Sequence, residues 1–149
     1  MSETHPERRW GRSVAAVCIG IVVGVALTLA TDVAMHAVGL FPALGQPMSD
    51  NLLLLATAYR AIYSVASSYL TARLAPYRPL AHALAGGVTG LVVTTVGAVA
   101  TWNRGPAFGP HWYPVALVVL CMPCAWAGGK LRVIQVRALP IGPPKDSNG

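Results

Sequence analysis

The stretch LLLLATAYRAIYSVASSYLTARLAP, Leu52 to Pro76, has the length of a membrane-crossing helix and carries Arg60 near its middle. Crossing a hydrocarbon core about 30 Å thick takes roughly 20 mostly apolar helical residues. At helical spacing Thr57, Arg60, Ser64, Ser67 with Ser68, and Thr71 fall on one stripe, while Leu53, Leu54, Ile62, Val65 and Leu70 lie largely elsewhere. Lipid offers no hydrogen bonds, so this stripe is expected to face other helices or an internal water pocket. An arginine at mid-span costs about 2.5–3.5 kcal/mol on insertion scales. It therefore needs a partner, and the acidic residue inside the apolar segments is Asp32.

The rest of the chain fits the same setting. Of 149 residues, 54% are hydrophobic and 11% charged, against roughly 25% charged in soluble domains. Mean hydropathy is +0.55. Composition thus marks an integral membrane protein, and the length allows one small bundle without a separate soluble domain. The net charge of +6 would suggest nucleic acid in a soluble protein. Here the basic residues flank apolar segments, and no run holds four Lys or Arg. A nucleic-acid partner is not expected.

Hydropathy predicts an all-α protein with four transmembrane helices, over about 13–40, 51–75, 79–101 and 112–131, in an antiparallel bundle. They form a single membrane domain, 13–136, between a cytoplasmic segment 1–12 and a polar, proline-rich tail, 137–149, expected to be disordered. Strands of a membrane barrel would be about half as long and would alternate. Nine of the eleven Lys and Arg fall before the first segment, between the second and third, or after the fourth; Arg104 lies in the opposite connection and Arg60 inside. The positive-inside bias places both termini in the cytoplasm and the protein in a cell's inner (plasma) membrane. Arg8-Arg9 before an apolar run invites a twin-arginine signal reading. The run from Val14 to Ala30 is longer than a signal core of 7–15 residues, so it is read as a helix.

Depth supports pairing Asp32 with Arg60. Asp32 lies about ten residues before the outer turn and Arg60 about ten after it, which puts both roughly 15 Å below that turn at a rise of about 1.5 Å per residue. Consecutive antiparallel helices are expected to be neighbours. His36 stands one turn above Asp32 on the same face, and Tyr59 or Tyr63 could add hydroxyls. Asp32, His36, Arg60, Ser64 and Ser67 thus form the candidate intramembrane polar site. It is read either as a lock between helices or as a relay or binding pocket.

Other features point to packing. Gly20 with Gly24, and Gly86 with Gly90, are small-xxx-small pairs that let helices approach closely. Trp102, Phe108, Trp112 and Tyr113 crowd one outer connection and read as an interfacial belt. His82 is placed at the inner interface, and His111 has no second ligand at metal spacing, so no metal site is expected. Cys121-Met122-Pro123-Cys124 resembles the C-x-x-C pattern of thioredoxin-like proteins. It is also similar to motifs of vitamin K epoxide reductases and quinone-coupled disulfide oxidases, which are small membrane bundles. Those relay electrons through an additional cysteine pair, whereas this chain adds only Cys18. Cys121 and Cys124 are therefore redox candidates, against a reading as small apolar residues.

G-x-S-x-G, H-E-x-x-H and phosphate-loop signatures are absent. The segments AYRAIYSVASSYLTARLAP and WYPVALVVLCMPCAWAGGKLR resemble small four-helix bacterial inner-membrane proteins with no assigned activity. Small multidrug exporters also have four helices but rely on a membrane glutamate, which this chain lacks. The expected function is a non-enzymatic scaffold or accessory membrane component without a cofactor. Its expected partners are the bilayer and a second copy or another membrane protein. The alternatives are a small transporter or channel using the Asp32–Arg60 stripe, and a thiol oxidoreductase using Cys121 and Cys124.

Overall fold

The computed structural model describes residues 10–138. Among them are four long helices: α1 (Trp10–Ala37), α2 (Asp50–Leu74), α3 (Pro79–Thr101) and α4 (Trp112–Ala138), with a short 3-10 turn at Pro106–Phe108. No strand occurs among the described residues. Most of the expected N-terminal segment, residues 1–9, and of the expected tail, residues 139–149, lies outside the described residues.

Three stretches, Trp10–Ala37, Pro79–Thr101 and Pro106–Ala138, are long and apolar enough to cross a membrane. α2 matches them in length, but Arg60 and its hydroxyl-bearing residues lower its hydropathy. Burial explains how such a helix is accommodated. α2 packs against α1, α3 and α4, whereas α1 packs on α2 and α3. The most polar helix, like α3, touches every other helix of the bundle.

The core is built from small residues: Ala16, Ala56, Ala72, Ala83 and Ala125 are almost fully buried, while large apolar side chains such as Val33 (68% exposed) and Val99 (72%) point outward. A bundle folding in water would bury those valines. Exposing them over whole helix faces fits surroundings that are themselves apolar.

The helix boundaries have local causes. α1 starts at Trp10 and stops at Ala37, earlier than the expected end near residue 40. Gly39 adopts a left-handed φ of 74°, and the amides of Gly39 and Leu40 bond back to the carbonyls of His36 and Met35. This is a Schellman end, for which glycine is suited. α4 continues to Ala138, past the expected end near 131, because Lys130 to Ala138 contains no Gly or Pro to stop it. The α2–α3 connection is tight. Arg78 adopts a φ of 43° immediately before Pro79, the first residue of α3.

Close helix contacts depend on glycine at particular positions. A Cβ on Gly128 would collide with the α2 backbone at Val65 and lie 2.7 Å from the Tyr69 nitrogen. One on Gly20 would overlap the Thr71 hydroxyl, and one on Gly24 would lie 3.0 Å from Ser67 Oγ. Gly20 and Gly24 therefore seat α1 on α2. The second expected pair behaves differently. A Cβ on Gly86 would come no nearer than 3.9 Å to Val17, and one on Gly90 would meet nothing within 4 Å. The close-packing glycine of α3 is Gly87, one residue on, which faces Ala125 of α4.

Candidate functional site

Arg60 and Asp32 meet between α2 and α1. Arg60 Nη2 donates to Asp32 Oδ2 at 2.6 Å, and the two side chains are 28% and 23% exposed. Asp32 Oδ1 also accepts from the Tyr59 hydroxyl. Arg60 Nη1 donates to the Tyr113 hydroxyl at 2.5 Å, and the guanidinium lies 5.8 Å from the centre of that ring. One arginine thus ties together α1, α2 and α4. Both ends of the pair are supported by hydrogen bonds, the condition under which partly buried ions tolerate loss of water. Arg60 Nε is buried and has no acceptor among the described residues.

Three helices supply these groups for local reasons. Ser49 is the N-cap of α2, and Asp50 opens the helix. Asp50 accepts from the Trp112 indole nitrogen at 3.1 Å, docking the start of α4 on the start of α2. With Trp112 held outside, Tyr113 lies about 100° further round the helix and turns inward. It was expected in the interfacial belt with Trp112; its hydroxyl instead completes the arginine's surroundings. Its sequence signal was weak, a tyrosine within an aromatic cluster.

His36 does not reach the carboxylate. Its Nδ1 lies 2.8 Å from the Asp32 main-chain oxygen, and its ring meets Phe41 edge-on. Tyr63 reaches Thr31 at 2.9 Å rather than Asp32. Above the pair, Phe41, Ala56 and Tyr59 form a buried cluster, with Met35, Met48 and Leu52 packed against it. An apolar cap therefore covers the outer side.

Below the pair lies a cleft of about 380 Å³, bordered by all four helices. Asp32, Arg60, Ser64, Ser67, Ser68 and Thr71 give it a polar side, while Val25, Leu29, Leu117 and Leu120 give it apolar walls. Thr57 of the expected stripe does not border it; its hydroxyl bonds back to Leu53 O at 2.8 Å. Ser67 and Thr71 likewise bond back to the carbonyls of Ser64 and Ser67. Ser64, in the middle of α2, is exposed. Gly86 approaches α1 at Val17, whereas Gly90, one turn further out, has open space where a side chain would begin. The space beside Gly90, which borders the cleft, is therefore not filled by a neighbouring helix.

Cys121 borders the cleft, with its thiol 3.2 Å from Leu117 O and 3.3 Å from Thr94 Oγ1. Cys124 is buried and Cys18 exposed; all three thiols are free. Cys121 and Cys124 lie within the unbroken α4, with Pro123 inside the helix. They do not occupy a helix N-terminus, where a thiolate would be stabilised. His111 stacks on Trp102 at 4.4 Å and lies 2.9 Å from that residue's carbonyl oxygen. Among the described residues no group of three or more His, Cys, Asp or Glu could hold a metal ion. His82 contacts Tyr77 near the start of α3.

No known protein family, curated protein or solved structure matches the chain.

Proposed function

We propose that the chain is a four-span protein of a bacterial inner membrane, with both termini cytoplasmic, that binds a small molecule within the bilayer as a carrier or as the binding component of a larger assembly. The observation that carries this reading is the cleft of about 380 Å³ headed by the Asp32–Arg60 pair. Its volume falls in the range of roughly 300–1,000 Å³ typical of small-molecule sites, where a few polar groups are set among apolar walls. Ionisable groups inside a membrane are functional candidates by default. The Lys and Arg of the flanking segments support the orientation, and the packing of α2 against the other three helices supports its counting as the fourth span.

A second reading keeps the pair purely structural, with the protein a scaffold. The bridging of α1, α2 and α4 by one guanidinium favours it. The two readings differ in whether the cleft holds water. With the native cysteines removed, single cysteines at positions 64 and 67 are expected to react with N-ethylmaleimide, a small membrane-permeant reagent that needs an ionised thiol. Cysteines at lipid-facing Ile62 and buried Ala56 are expected to stay unreacted. Positions 64 and 67 as silent as position 62 in correctly inserted protein would mean a cleft without water, the result the scaffold reading expects.

A further inference from the structure

We infer that the cleft's occupant is an uncharged, lipid-borne amphiphile with a carbonyl or hydroxyl head, entering sideways from the bilayer. This inference rests on the binding reading above and assigns the ligand class.

Charge is the first argument. Among the described residues the only charged side chains bordering the cleft are Asp32 and Arg60, and they neutralise each other at 2.6 Å. A carboxylate or ammonium ligand would add an unmatched charge at mid-bilayer depth, where a charge costs far more than in bulk water. A neutral head avoids that cost.

Hydrogen-bonding capacity is the second. Arg60 carries five N–H donors, and one contact each to Asp32 and Tyr113 leaves others for an acceptor. The hydroxyls of Ser64 and Ser68 border the cleft and have no hydrogen-bond partner among the described residues. Serine in a membrane helix ordinarily bonds back to its own backbone, as Ser67 does here. Ser64 and Ser68 can therefore donate to or accept from a carbonyl or hydroxyl head.

Access is the third. The Phe41 cluster closes the outer end, and the seat of Gly20 on Thr71 narrows the inner end. The open side is mid-span, where Ser64 is exposed and nothing stands against Gly90. That side faces the acyl chains, and the leucines of α1 and α4 on the cleft walls suit an aliphatic body.

The test is photolabelling of the full-length protein in lipid nanodiscs with three diazirine probes: decanol, decanoic acid and decylamine, with adducts located by mass spectrometry. Decanol is expected to label the cleft faces of α1 and α2 about tenfold above either charged probe, since a charged head would be unpaired in the bilayer interior. Gly90→Phe, which places a ring in open space, is expected to remove most of this labelling, and Ser64→Val to reduce it severalfold. Either variant suffices should the other fail to fold. Equal or stronger cleft labelling by decanoic acid or decylamine would overturn the inference, as would labelling indifferent to both folded variants. Maleimide-reactive cysteines at 64 and 67 with no decanol adducts in the cleft would overturn the ligand class alone. Silence in both experiments would remove the binding reading as well.

Discussion

At Arg60 the balance of energies is set by one contact. Leaving a guanidinium unpaired in the bilayer interior costs at least about 2.5–3.5 kcal/mol, and removing one member of a buried pair typically costs about 3–5 kcal/mol. Asp32→Asn is therefore expected to destabilise the bundle by an amount in that range, read from unfolding in detergent. Asp32→Arg or Arg60→Asp alone should prevent stable insertion, while the double reversal recovers part of it. A double reversal no better tolerated than the singles would mean that Asp32 is not the arginine's counter-ion. Tyr59→Phe removes a hydrogen bond to the carboxylate and should cost about 1.5–3 kcal/mol, as bonds to charged groups do. Asp32 and Arg60 were legible as partners because their depths could be counted from one turn. Tyr113 was not. Its sequence neighbours are interfacial aromatics, and its inward turn depends on where the Trp112 indole finds Asp50.

Among the helices, contact distance follows from which glycines face a neighbour. Gly128→Ala would press a methyl against the backbone of α2, and overpacking of this kind costs about 1–3 kcal/mol. A lowered Tm is the expected result, whereas Gly90→Ala should leave Tm unchanged, since its side chain would enter open space. Equal effects of the two substitutions would contradict the described seating of α4 on α2. Of the two pairs expected from spacing, Gly20 and Gly24 lie tight against α2, whereas Gly86 lies at ordinary contact distance from α1 and Gly90 faces open space. Glycine and alanine are so frequent in these segments that spacing alone cannot select a face. The choice of Gly87 is fixed by Ala125 on the opposing helix, which no linear pattern encodes. The helices themselves were readable because length and apolar content announce them. The end of α1 depended on the single left-handed residue Gly39.

For the whole molecule, α2 decides the architecture. Its hydropathy alone does not mark it as a span, yet it contacts every other helix, and its polar side is the side they cover or border. The cleft was foreseen only as a polar stripe in need of a dry partner or a wet pocket. Its walls come from all four helices, a property of the assembled bundle. The same assembly explains how a helix that reads as marginal for lipid is accommodated: its apolar side, with Leu54 and Ile62, is exposed, while its polar side borders the cleft and the other helices. The most direct test of this account is whether α2 crosses the bilayer. Paired reporters, one active only in the cytoplasm and one only outside, would be inserted after Leu44, after Tyr77 and at the C-terminus of the full chain. A crossing α2 places the Leu44 and Tyr77 reporters on opposite sides, with Tyr77 and the C-terminus in the cytoplasm under the proposed orientation, and Arg60→Asp should scramble the Tyr77 signal. Finding the Leu44 and Tyr77 reporters on the same side would mean that α2 does not cross, and the four-span bundle with its partly buried ion pair would be wrong.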